Sequence, residues 1–468
     1  MEAREAGTPL VPKSGTSEDD MDGISSLAAW DTLPLARKKG TRPLAEHYEA
    51  IVVGAGPAGN AAALSLARAG VDVLQLERSE YPGAKNIRGA VLYAPALDAL
   101  LPEFRSSAPL ERRIVEHWSW ALDDHAHAGT RERATSVDGD RSTHYTVLRS
   151  PFDAWFSATV KEAGAQVLCA TAVTDLVRED DGRVIGVRTD RDDRVFFADV
   201  VILADGVEAL VARRSGLREE LQPLEVAMAV KEVRLMPSDL IEARFGVSAF
   251  DGVLLEASAS FARTLPGIGF IYTNRDSLSV GIGCLVSDVC DSAVPPSELL
   301  DRFKHHPSIR PLLEGSEVSG FAAQLFPEGG YRSRPRLFGD GWLTCGDATQ
   351  RNDALHRDGS TMALTSGRLA AETIIELRGH GRPMTARHLS LYRDKLDRSA
   401  VLRDLRRLRP LTPPPRDGRQ GASADPQQLA RMNRELARTK AAGSIRIEEA
   451  LLTRLRRQPR FGPPGEAI

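Results

Sequence analysis

A short apolar run, Ala50-Ile51-Val52-Val53, leads at once into Gly54-Ala55-Gly56-Pro57-Ala58-Gly59, and residues 60–69 that follow are rich in Ala and Leu. This is the GxGxxG pattern in the strand–turn–helix setting that gives it meaning. Gly54 permits the tight turn, Gly56 lets a pyrophosphate approach the backbone, and Gly59 lets helix and strand pack closely. Pro57 and Ala58 complete the turn into a helix whose free N–H groups and positive dipole end face the phosphates. A second apolar run, Val71-Asp72-Val73-Leu74-Gln75-Leu76, ends in Glu77 and Arg78. A carboxylate there accepts both hydroxyls of an adenosine ribose and repels a 2′-phosphate.

Two later segments turn this dinucleotide reading toward FAD. Val200-Val201-Ile202-Leu203 ends in Ala204-Asp205-Gly206, and Trp342-Leu343-Thr344-Cys345 ends in Gly346-Asp347. The second leads on to Gly359-Ser360-Thr361-Met362 and a long helical pattern. A flavin cofactor needs a carboxylate at such a strand end, because its ribityl chain presents hydroxyls. It also needs a helix start under the pyrimidine edge, where the dipole favours the anionic reduced ring. Asp347 and the 359–361 backbone suit these roles.

The rest of the composition narrows the partners. With 61 Lys and Arg against 64 Asp and Glu, the net charge is −3, which argues against nucleic acid. The four cysteines, Cys169, Cys284, Cys290 and Cys345, include no CxxC, so neither a zinc site nor a four-cysteine iron–sulfur cluster is expected. No apolar run reaches the length of a membrane span, and a cytoplasmic location is expected. Residues 1–46 read as a disordered extension, and 410–468 as a linker followed by two short helices. Residues 389–408 read as one amphipathic helix. Residues 393–460 carry about +10, leaving about −13 elsewhere. That basic tail could meet an acidic protein or rest peripherally on an anionic membrane; a solvated helix and tail is the plainer alternative.

The chain also resembles a known family. Gly83-Ala84-Lys85-Asn86 with Gly89, the runs 267–274 and Gly281-Ile282-Gly283, and Pro327-Glu328-Gly329-Gly330-Tyr331 carry the resemblance. So does Gly346-Asp347-Ala348-Thr349-Gln350, continuing to His356-Arg357-Asp358-Gly359-Ser360. Together they resemble the FixC and electron-transfer-flavoprotein:quinone oxidoreductase family, which borders on geranylgeranyl reductases. The resemblance implies an α/β protein: a glutathione-reductase-like, Rossmann-type FAD domain (47–221 and 335–409) interrupted by an α+β substrate domain at 222–334. It implies an FAD-dependent oxidoreductase passing electrons from an electron-transfer flavoprotein or similar donor to a quinone or ferredoxin-like acceptor. Electron-transfer-flavoprotein subunits and a small ferredoxin-like protein are the implied partners. A stand-alone reductase or hydroxylase of a small organic substrate remains the alternative, with FAD as a structural plug a third reading.

Several residues stay candidates on weaker grounds. Lys85 and Asn86 are placed at the flavin's reactive face by resemblance alone, and Arg149 as a contact to FAD, against a salt bridge. His356 is a candidate proton donor, against a loop histidine bonded to backbone. His125 and His127, beside Asp123 and Asp124, read better as a solvated hairpin than as metal ligands. No catalytic residue is named, because electron transfer through a flavin requires no nucleophile.

Overall fold

The computed structural model describes residues 46–403, apart from 85, 87–88, 134–142, 220–221, 261–264, 293, 328–335, 350–358 and 401. The 1–46 extension (but for Glu46), the linker and helices of 410–468, Lys85 and His356 therefore lie outside the described residues.

Strand Glu46–Val53 pairs in parallel with Val195–Leu203 on one side and Val73–Leu76 on the other. Trp342–Thr344 and Gln166–Leu168 extend this parallel sheet at its two ends. Strands buried on both faces need apolar residues at every position, and alternation then sends them to different cores. Ala50 and Val52 join a cluster under helices Pro57–Arg68, Arg149–Glu162 and Gly359–Gly379. Ile51 and Val53 join a second cluster on the opposite face. That face is covered by strands Val173–Arg178 and Val184–Thr189, which reach the sheet through antiparallel pairing with Val195–Leu203.

A second sheet of nine strands runs in the order Glu317–Pro327, Val226–Leu235, Ser277–Leu285, Pro266–Thr273, Asp251–Ser260, Leu110–Leu122, His144–Leu148, Gly89–Tyr93, with His127–Arg133 also paired to Leu110–Leu122. The segment expected as the insertion, 222–334, supplies only five of these strands; Gly89–Tyr93, Leu110–Leu122, His127–Arg133 and His144–Leu148 come from the part assigned to the FAD domain. The reason is the parallel pairing of Leu110–Leu122 with Asp251–Ser260. A parallel partner must be fetched from far along the chain, and sequence pattern alone does not show from where. One face of this sheet carries Val253, Leu255, Trp118, Trp120, Ile271 and Val280 against helices Ser238–Phe245 and Pro296–His305.

The helix expected across 389–408 is broken. Ala386–Leu389 and Leu391–Arg398 are separate helices, and Ser399 turns the backbone extended. Its apolar stripe, Leu389, Tyr392, Leu396 and Leu402, is buried in the cluster below the parallel sheet. This corrects the reading of 393–460 as one docking tail: its first residues belong to the folded body, with Arg393 over the Phe338 ring.

Candidate functional site

The glycine turn is held by polar groups that the sequence reading passed over. Gln75 Nε2 donates to Gly54 O at 3.1 Å and to Asn60 Oδ1 at 3.0 Å, and Asn60 Nδ2 donates to Ala55 O at 3.1 Å. Both side chains are fully buried. An amide inside an apolar strand and another inside an Ala-rich helix were the available signal, since buried polar groups need partners. Glu77 grips the same turn. Its Oε2 accepts from Ala55 N at 2.9 Å and its Oε1 from Ser79 N at 2.9 Å.

The glycines divide by what surrounds them. A Cβ at Gly59 would lie 2.0 Å from Gly54 O, and one at Gly54, whose φ is +101°, 2.5 Å from Ala204 O. These two serve packing. A Cβ at Gly56 would meet nothing within 4 Å. Space is kept open there at the start of helix Pro57–Arg68, whose first turn has no acidic residue and no side-chain cap.

The other two strand ends converge on this turn. Gly346, with φ +67°, lies so that a Cβ would come 2.7 Å from Ala58 Cβ, and one at Gly367 would come 2.1 Å from Ala58 O. Helix Gly359–Gly379, which begins with Gly359, Ser360 and Thr361, therefore packs directly on helix Pro57–Arg68. Asp347 sits in the short turn Gly346–Thr349 between them in sequence, with Gly346 N donating to Ser366 Oγ at 2.9 Å. Asp205 follows strand Val195–Leu203, and its Oδ2 accepts from Val211 N at 3.0 Å. Its Oδ1 is buried without a hydrogen-bond partner among the described residues. Gly206, with φ +78°, faces open space. Arg78 pairs with Glu208 at 3.3 Å across the same loop.

Burial pushes the Asp205 carboxyl above the usual carboxylate range, against the pull of the Val211 amide. Arg218, also missed in the sequence, is drawn below the guanidinium value by burial, while Asp205 and Asp347 draw it back up. These three charges share one neighbourhood. A raised carboxyl favours the folded state below its unfolded value, about 4, and that contribution is lost as pH rises through the folded-state value. Asp205→Asn keeps an acceptor for Val211 and removes the titration. Flavin-stripped protein with this change is expected to be more stable than wild type at about pH 7, with the gain shrinking toward about pH 4. Denaturant titrations at both pH values measure it, and a gain independent of pH would contradict the burial account.

Arg149 and Asn86 meet at one carboxylate rather than standing free. Asp153, fully buried, accepts from Arg149 Nε at 3.1 Å and Nη2 at 3.0 Å, and from Asn86 Nδ2 at 2.7 Å. Gly83 packs against the same side chain, with a would-be Cβ 2.9 Å from Asp153 Cβ. Gly83 and Asn86 are thereby tied to helix Arg149–Glu162. Gly89 itself lies on Ser279 of the second sheet, where a Cβ would meet Oγ at 1.9 Å. His125 and His127 occur at a hairpin, where Asp123 Oδ1 accepts from His125 N and Ala126 N. Burial lowers His127, which stacks on Trp120 at 3.8 Å. No group of three or more His, Cys, Asp or Glu among the described residues could hold a metal ion.

Comparison with known proteins fits this geometry. Residues 49–220 match the family model described as FAD dependent oxidoreductase. The chain is 51% identical over 368 residues to the protein FixC of Bradyrhizobium diazoefficiens, covering 79% of this chain and 85% of that protein. The chain belongs to the FixC family. FixC of Azotobacter vinelandii is 45% identical, over 78% of this chain and 84% of its own length. A probable electron transfer flavoprotein-quinone oxidoreductase of Escherichia coli K12, YgcN, is 40% identical, over 76% of this chain and 82% of its own length. In fold, the chain resembles a geranylgeranyl bacteriochlorophyll reductase-like protein of Thermoplasma acidophilum, with TM-score 0.65, 18% identity and coverage of 87% and 96%.

The chain is an FAD-dependent oxidoreductase of electron transfer. The residues fit that cofactor on their own evidence. The space above Gly56 would be filled by a Cβ, and the Oδ1 of Asp205 is an unsatisfied acceptor at the end of a core strand. No helix among the described residues is long and apolar enough to cross a membrane.

Proposed function

We propose that FAD lies along the Gly54–Gly59 turn, and that electrons reach it from an electron-transfer flavoprotein and leave to a quinone or a ferredoxin-like protein. The observation that carries this reading is the identity to FixC proteins, with 40% identity to a relative named as a flavoprotein–quinone oxidoreductase.

The chain's own residues have distinct tasks in this proposal. Gly54, Gly56, Pro57, Ala58 and Gly59 offer backbone and a helix start to the pyrophosphate. Glu77 and Arg78 flank the adenosine ribose. Asp347 and Gly346 meet the ribityl hydroxyls, and Gly359, Ser360 and Thr361 present helix N–H groups to the pyrimidine edge. Asp205 and Gly206 close the turn beside Gly54. Arg149 holds the Asp153 carboxylate, which also accepts from Asn86. Bound FAD supplies the redox chemistry, while these residues orient it and set its electrostatic surroundings.

Only one glycine fingerprint is present, and FAD takes it, so nicotinamide cofactors have no comparable site. Stopped-flow mixing of the holoprotein is expected to show rapid flavin bleaching by a reduced electron-transfer flavoprotein and slow bleaching by NADH or NADPH. Fast, saturable reduction by a nicotinamide cofactor alone would displace the electron-transfer reading.

A further inference from the structure

The second sheet has two faces, and only one is packed under helices by its apolar cluster. Strand alternation assigns the other face residue by residue. Glu256 stands opposite Phe270 on one side and Ser119 on the other, while its neighbours Leu255 and Ala257 point into the helix-covered core. Along the same row, Phe270 pairs with Gly281, and Gly281 with Lys231. The next row runs Ser279, Tyr272, Leu254, His117 and Glu132. The row on the other side runs Gly283, Ile268, Ser258, Ala121 and Ala128.

This face combines groups not needed for holding the sheet together. His117 Nε2 lies 3.1 Å from Glu256 Oε2, with both side chains mostly shielded. Phe270 and Tyr272 stack at 4.9 Å, and Lys231 Nζ stands 4.8 Å from the Phe270 centroid. Ser258, two residues past Glu256, is 0% exposed, and its Oγ has no hydrogen-bond partner among the described residues. A buried hydroxyl left without a partner costs about 1–3 kcal/mol, so this face carries a polar group that the fold does not itself satisfy. The sheet also curls back over this face. Thr146 Oγ1 donates to Thr273 O at 2.9 Å, and Gly89 rests on Ser279. Strand Gly89–Tyr93 is thus held against the polar face of Ser277–Leu285.

We propose that His117 and Glu256 are a proton-delivering couple for a quinone-class acceptor bound on this face. The inference rests on the acceptor reading given above. Reduction of such an acceptor takes two electrons and two protons. Both electrons come from the reduced flavin, each ring carbonyl becomes a hydroxyl, and no bond to the protein forms. One proton passes from the couple to an acceptor oxygen and is replaced from solvent, and the other comes from water, which takes up the proton that the flavin releases as it is reoxidised. The charged groups facing His117 are Glu256 on the adjacent strand and Glu132 opposite it, with Lys231 further along the face.

The test uses full-length, flavin-loaded protein, photoreduced and then mixed with one of two oxidants. A short-chain ubiquinone analogue takes up protons on reduction, whereas ferricenium takes one electron and no proton. His117→Gln and Glu256→Gln are each expected to slow flavin reoxidation by the quinone analogue about 100-fold, the usual scale for lost general acid catalysis. They should leave the ferricenium rate and the flavin content unchanged and flatten the dependence of the quinone rate on pH. Equal slowing with both oxidants, or an unchanged quinone rate, overturns the couple. Wild-type protein that reoxidises with ferricenium but not with the quinone analogue overturns the acceptor reading itself, and the couple with it. The two failures are therefore told apart by the wild-type control.

Discussion

Protein carrying Gly56→Val is expected to purify folded but nearly colourless. A Cβ at this position meets nothing within 4 Å in the protein itself, and the φ of −77° suits any residue. The valine side chain would instead occupy the space kept for the cofactor's pyrophosphate. Overpacking a close contact costs about 1–3 kcal/mol, about tenfold to 100-fold in affinity. Absorbance at the flavin band, scaled to protein, reads the loss, and circular dichroism checks the fold. Gly59→Val makes the contrast. Its Cβ would lie 2.0 Å from Gly54 O, so strand and helix would have to part, and the expected result is misfolded protein. A Gly56→Val protein with wild-type flavin content would remove the assignment of this turn to FAD.

Arg112→Met is expected to cause the largest loss of stability of any single change outside the cofactor turn. Arg112 is 2% exposed, and its guanidinium reaches Asn274 O at 2.6 Å, Arg275 O at 2.9 Å and Asp251 O at 3.1 Å. It also donates to Ser238 Oγ at 2.7 Å and lies 3.4 Å from Glu242. Removing it strands the buried Asn274 and Asp251 carbonyls, each at a cost of about 1–3 kcal/mol. Urea unfolding measures the change. A loss below about 1 kcal/mol, the worth of one ordinary hydrogen bond, would mean that water or backbone movement satisfies those carbonyls. Because Arg112 lies in the second sheet, the fraction that remains folded is expected to keep its flavin.

The FAD-binding half of the fold was readable because its signals are local. Gly54 to Gly59, the apolar strand before them and Glu77 after them lie within about thirty residues, and turn geometry dictates their types. What escaped was long-range. Nothing around Leu110 or Gly89 announces that these strands complete a sheet with residues 226–327. Arg112 looks like one more surface arginine beside Arg113 until the fold surrounds it with carbonyls. Gln75, Asn60 and Arg218 were hidden by the same limit, because a polar residue in an apolar run shows its purpose only once its partner is known. The helix expected over 389–408 failed for a local reason: Ser390 and Ser399 each offered the backbone a competing hydrogen bond.

The parallel pairing of Leu110–Leu122 with Asp251–Ser260 also bears on how the molecule comes into being. The ion pair between Arg113 and Asp251 joins residues 138 apart in sequence. The first sheet is likewise closed by Trp342–Thr344. Neither layer can be completed on a ribosome until most of the chain has emerged, and high contact order of this kind slows the search for the native state. Newly made chains would spend that interval with apolar strands uncovered, which favours clumping and chaperone capture. The second sheet cannot be cut out and expressed by itself, because its strands are drawn from both sides of Val195–Leu203. Loss of order on heating is accordingly expected in a single step.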